Sequence, residues 1–215
     1  MFRMFMLRRF ILAAALAIPM VASASADAPV AGQDYLVLQT PVQTQNPKKI
    51  EVLTFFAYFC PHCYTYEKVV EPWAKKLPDD VEFRFVPVAW SDKFTHFSTA
   101  FYALEALKKL DPYHNKLFDA VIKQGKEFKN INEIADYLAS EGLNKEEFLK
   151  AANSFAVKMK TDRAAKTWKA YGIDGTPANA VNGKYVTAPH LVGTREGALQ
   201  VMDKLIERER EAQKK

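Results

Sequence analysis

Residues 48–59, KKIEVLTFFAYF, run straight into Cys60 and Pro61, and this junction restricts the fold more than any other part of the chain. The run is β-branched and aromatic, and its apolar core is too long for the alternation of a half-exposed strand. It therefore predicts a central strand covered on both faces. From Cys63 to Leu77 apolar residues recur at helical spacing, with Pro72 predicting a kink or break. A buried strand that feeds directly into a helix points to a layered α/β architecture.

The remaining pattern fits that class. DYLVLQT (34–40) reads as a short first strand, and VEFRFVPVAW (81–90) as another whose start alternates through Val81, Phe83 and Phe85. From about His96 to Trp168 one amphipathic helix follows another. Helices are expected over 97–110, 132–139, 144–152 and 155–171, with Asp111 and Pro112 as an N-cap and first-turn proline. Glu147 stands three residues after the candidate cap Asn144. Strand character returns at 178–181 and 184–187, joined by Asn182-Gly183, a strong signal for a two-residue hairpin. Thr194 is placed to cap a last helix through about Arg208. The helical block interrupts the α/β pattern as an inserted subdomain, giving segments 27–95, 96–168 and 169–215.

The amino terminus sets the redox environment. Arg3, Arg8 and Arg9 precede an apolar run from Phe10 to Ile18, followed by small residues ending Ala24-Ser25-Ala26. This is the pattern of a secretory signal peptide over residues 1–26, and the run is shorter than the roughly 20 residues a spanning helix needs. Export to the periplasm, where disulfides persist, is the expectation. Three of the thirty Lys and Arg leave with the signal, so the formal charge falls from +5 to +2. No basic block remains to bind nucleic acid.

Cys60 and Cys63 are the only cysteines in the chain. Residues three apart on a helix are about 5–6 Å apart, within the Cα separation that a disulfide tolerates. A bridge over so short a loop removes little unfolded-chain entropy, which favours a redox pair over a structural staple. A zinc site needs four ligands, yet there is no third cysteine, and His96, His114 and His190 are dispersed. Haem attachment needs histidine where Tyr64 stands. Cys60 lies where the helix begins, with Pro61 in the first turn. Unpaired amides and the macrodipole there favour an anion, and His62 is placed to give the same sulfur a hydrogen bond or positive charge. Both effects lower a thiol pKa and stabilise the reduced protein. Cys60 is then the attacking and attacked sulfur, and Cys63 resolves the mixed disulfide.

FFAYFCPHCY, together with GIDGTPANAVNGKYV far downstream, closely resembles the DsbA family of periplasmic thiol:disulfide oxidoreductases, from about Tyr35 to the final helix. The resemblance implies a thioredoxin fold with an inserted helical subdomain, Cys60 as nucleophile and Cys63 as resolving thiol. It also implies a cis-proline loop at Thr176-Pro177 that presents the Thr176 backbone to an extended substrate, as a strand edge does. The partners it implies are reduced, newly exported proteins and a membrane reoxidase resembling DsbB; the protein is expected to be a monomer with no cofactor or metal. One position departs from the pattern. Thioredoxin-like proteins often carry a buried acid six residues before the first cysteine, and here Thr54 stands there, leaving proton exchange at Cys63 to water or another carboxylate. A reductase or isomerase would use the same residues, although no dimerisation domain is visible. A peptide-binding holdase without electron transfer is the alternative from another class.

Overall fold

The computed structural model describes residues 28–214. The expected signal peptide lies outside the described residues. The chain builds a five-stranded sheet from β1 (Leu36–Val37), β2 (Ile50–Phe56), β3 (Val81–Pro87), β4 (Ala178–Val181) and β5 (Tyr185–Thr187), in the spatial order β1-β5-β4-β2-β3. Helix α1 (Pro61–Ala74) joins β2 to β3. That crossover makes those two strands parallel, with Ile50 opposite Val81 and Phe56 opposite Pro87. The other pairings are antiparallel.

All seven residues of β2 are buried, because the sheet is covered on both faces. Ile50 and Val52 pack with Tyr66 and Val70 of α1 and with Met202, Leu205 and Ile206 of α8 (Arg195–Gln213). Leu53 and Phe55 point the other way, into the helical block. Each fully buried side chain of this size contributes about 1.5–3 kcal/mol, so β2 anchors both layers. The helical block comprises α2 (Thr95–Ala106), α3 (Leu110–Phe118), α4 (Ile131–Ser140), α5 (Lys145–Ala152) and α6 (Phe155–Ala170), all between β3 and β4 in the chain. Its caps follow the sequence signals: Asn144 accepts from the Glu147 amide at 2.9 Å, and Thr194 accepts from the Gly197 amide at 2.9 Å at the start of α8. A short helix α7 (Pro189–Val192) separates β5 from α8. Among the described residues no helix is long and apolar enough to cross a membrane.

Several expected boundaries shift. Pro72 neither kinks nor breaks α1, which continues to Ala74. Proline costs the bond to the carbonyl four residues back, and so close to the helix end that loss falls on one group, while Tyr66 and Val70 hold α1 against α8. The first strand shrinks to two residues, since Leu36 and Val37 lie on an open edge with 48% and 55% of their surface exposed. The strand expected over 81–90 ends at Pro87, while the Val88 amide still donates to the Phe56 carbonyl at 2.7 Å. The final helix runs five residues beyond Arg208, to Gln213. Asp111 has an extended ψ of 122° and precedes Pro112 through a cis peptide bond.

The Asn182-Gly183 hairpin forms as its residues require, with φ of 51° and 70°. Only glycine fits the second position, because a Cβ there would stand 2.0 Å from the carbonyl oxygen of Val42. That oxygen belongs to the loop that runs past the hairpin toward β2.

Candidate active site

The parallel pair β2 and β3 ends at one edge of the sheet, the edge at which α/β folds commonly bind their ligands. Cys60 emerges there as the N-cap of α1, with extended backbone (φ −100°, ψ 110°) and Pro61 in the first turn. Its sulfur accepts the backbone N–H of Cys63 at 3.3 Å and, as a thiol, donates to the carbonyl of Thr176 at 3.2 Å. Cys60 is partly exposed and Cys63 is 1% exposed. Both are free thiols.

This asymmetry separates the two sulfurs chemically. The Cys60 pKa is lowered from 9.0 to about 6. The largest cause is the hydrogen bond from the Cys63 thiol; burial opposes it, and the Thr176 side chain and the backbone N–H groups of Cys63 and His62 add to the lowering. Cys63 is displaced in the opposite direction, first by burial and then by its hydrogen bond and repulsion with Cys60. One sulfur is therefore a thiolate at neutral pH while the other keeps its proton.

Of the residues expected at the site, Cys60, Pro61, Cys63, Thr176 and Pro177 converge. The Thr176-Pro177 bond is cis, in the loop that enters β4. His62 comes into the site by another route. Its backbone N–H supports the Cys60 sulfur, whereas its side chain is exposed and has no hydrogen bond to sulfur among the described residues. The imidazole instead lines an open groove of about 670 Å³ with Thr176, Pro177, His190 and Arg195. This groove lies between the start of α1, the proline loop and the start of α8.

Two buried polar networks under the site were not identified from sequence. Thr54 donates to Asn179 Oδ1 at 2.8 Å, and Asn179 Nδ2 donates to the Tyr66 hydroxyl at 2.9 Å. A neutral chain of hydroxyl, amide and phenol thus occupies the position of the buried acid. The second network joins the Tyr58 hydroxyl to His114 Nδ1 at 2.6 Å and His114 Nε2 to Glu67 Oε1 at 2.8 Å. All three residues are buried, and aromatic rings of Phe56, Phe101 and Phe118 surround the imidazole. Glu67 lies four residues beyond Cys63, on the same face of α1. That spacing was the available signal for a buried carboxylate. His114 gave none, because its partners come from 47 and 56 residues away. Among the described residues no group of three or more His, Cys, Asp or Glu side chains could hold a metal ion.

Comparison with known proteins agrees with this geometry. The family profile of the DSBA-like thioredoxin domain matches residues 80–198, a stretch that includes the cis-proline loop. The thiol:disulfide interchange protein DsbA of Pseudomonas aeruginosa is 40% identical over 211 residues, covering 97% of this chain and 100% of its own length. That of Azotobacter vinelandii is 43% identical over 182 residues, 85% of each chain. The crystal structure of Pseudomonas aeruginosa DsbA matches with a TM-score of 0.84 at 40% identity, covering 88% of this chain and 99% of that one. An oxidoreductase of Neisseria meningitidis matches at 0.79 and 31% identity, over 86% and 96%.

Proposed function

The chain belongs to the DsbA family and is a thiol:disulfide oxidoreductase, and we propose from this that its Cys60–Cys63 pair, once oxidised, donates its disulfide to reduced, newly exported proteins in the periplasm. The observation that carries this direction is the low pKa of Cys60 at the start of α1. A thiolate that is stable at neutral pH stabilises the reduced protein and makes its disulfide the stronger oxidant. One pKa unit below ambient pH corresponds to about 1.4 kcal/mol, or roughly 30 mV for a two-electron couple.

The steps follow from the two sulfurs. A client thiolate attacks Cys60 Sγ and breaks the Cys60–Cys63 bond; Cys63 leaves and takes up a proton in its buried position. A second client thiolate then attacks the client sulfur of the mixed disulfide and expels Cys60 as thiolate. The client loses two electrons, which stay in the cysteine pair until a membrane reoxidase resembling DsbB removes them. Thr176, beside Cys60 at the cis-proline loop, offers backbone to the extended client. His62 acts through its backbone N–H and borders the groove. The working unit is a monomer that has lost residues 1–26 as a signal peptide.

Mixing the oxidised protein with a reduced two-cysteine peptide tests the reading: the peptide disulfide should form as the protein thiols appear, and Cys60→Ser should abolish both. Full activity in Cys60→Ser would refute it. A titration against glutathione fixes the direction, since a strongly reducing midpoint excludes the donor role and favours a reductase.

A further inference from the structure

The buried chain of Thr54, Asn179 and Tyr66 draws each member from a different element. Thr54 stands on β2, Asn179 on β4 and Tyr66 on α1, and all three are buried. These are the elements that carry the site. β2 leads to Cys60, α1 starts from it, and β4 begins just after the Thr176-Pro177 loop.

The two hydrogen bonds of Asn179 are not equivalent. Thr54 and Asn179 are register partners in the ladder of β2 and β4, where Leu53 and Phe55 also face Ala180 and Ala178. The bond from Thr54 at 2.8 Å therefore repeats a connection that the backbone already makes. The bond to the Tyr66 hydroxyl at 2.9 Å repeats nothing, because among the described residues it is the one hydrogen bond between β4 and α1. Val181 packs with Tyr66 and Val70, but apolar burial is non-directional and fixes the spacing of the two elements less sharply. Burial also holds the Tyr66 phenol far above its usual range, so the tie stays neutral wherever the Cys60 thiolate exists.

This tie closes a frame around the reactive sulfur. Six residues of helix lead from Cys60 to Tyr66, about 9 Å of rise. Three residues lead from Thr176 to Asn179, at most about 10 Å of chain. The two legs match in length. Asn179 and Tyr66 join them at one end, and the contact of Cys60 Sγ with the Thr176 carbonyl, 3.2 Å, joins them at the other.

We propose that Asn179 is a positioning residue for disulfide transfer: through Tyr66 it holds the cis-proline loop at the distance from Cys60 Sγ at which an extended client meets the Thr176 backbone and the sulfur together. The inference rests on the reading above of Cys60 as the reactive sulfur and Thr176 as the client's backbone partner. A carboxamide suits the place because it accepts at one end and donates at the other. Leucine, of similar size, would leave both hydroxyls unpaired.

The test compares Tyr66→Phe, which cuts the tie to α1, with Thr54→Val, which cuts the tie to β2. Each removes one buried hydroxyl, so both should lower the urea midpoint by similar amounts. Only Tyr66→Phe should raise KM for a reduced two-cysteine peptide, by roughly three- to tenfold with kcat nearly unchanged. Reduction of the same variant by dithiothreitol, which has no peptide backbone for the loop to hold, should stay at the parent rate. Asn179→Leu should match Tyr66→Phe, and the double variant should lose no more than either; if Asn179→Leu does not fold, Tyr66→Phe decides alone. An unchanged KM in Tyr66→Phe overturns the proposal, as does an equal rise in Thr54→Val or an equal slowing with dithiothreitol, since the network would then serve stability alone. Those results leave the parent activity, and the oxidase reading, intact. A parent that oxidises no peptide, or a Cys60→Ser variant that still does, sinks that reading and this inference with it.

Discussion

The separation of the two thiols should be measurable as a pH-dependent stability of the reduced protein. Folding lowers the Cys60 pKa from 9.0 to about 6, so between those values the native state binds fewer protons than the unfolded chain. Stability of the reduced protein then rises with pH through that window, is complete above the unfolded value, and is lost as pH falls through about 6. At 1.36 kcal/mol per unit, the unscreened gain from about pH 6 to about pH 8 is ~2.3 kcal/mol. Cys60 is only partly buried and water screens it, so ~1 kcal/mol is the expected gain. Above the ordinary thiol range Cys63 works in reverse, because the native state holds its proton while the unfolded chain releases it. Urea unfolding of the reduced protein at several pH values, set against Cys60→Ser, isolates the effect from other titrating groups. The parent curve should climb away from the variant by ~1 kcal/mol over that interval. Parallel curves would refute the reasoning.

Other outcomes follow from named contacts. Cys63→Ala removes the largest cause of the low Cys60 pKa, so the thiolate midpoint should rise by about one unit, the value of a partly screened hydrogen bond to a charge; a fall would contradict the assigned cause. His114→Leu leaves Glu67 buried without its partner and should cost about 3 kcal/mol in urea unfolding, whereas a neutral result would show that the pair is dispensable. Gly183→Ala forces a Cβ against the Val42 carbonyl and requires positive φ from alanine, so stability should drop by at least about 1–2 kcal/mol. An unchanged denaturation midpoint would mean that the 42–46 loop yields freely.

Features written in short stretches were legible in the sequence. The central strand, the Asn182-Gly183 turn, the Asn144 and Thr194 caps and the start of α1 each depend on neighbours within a few residues, and they form where local chemistry requires. The low pKa of Cys60 is the same kind of feature, since its largest cause, the Cys63 thiol, stands one helical turn away in the chain. What escaped depends on distant contacts. Pro72 predicts a kink or break because the packing of α1 on α8 is invisible locally, and the 34–40 run predicts a longer strand than β1 because its exposure depends on lying at the sheet edge. His114 looked like one of several scattered histidines until α3 carried it onto Glu67 and Tyr58. The imidazole of His62 was expected on the sulfur; one turn of helix geometry instead brings its amide there and turns the ring toward the groove.

The central claim is that Cys60 is ionised at neutral pH in the reduced protein, and thiolate absorbance followed against pH in the ultraviolet addresses it directly. The account predicts one transition with a midpoint near 6, absent from Cys60→Ser. A midpoint at or above the ordinary thiol range of about 8.5 would contradict it.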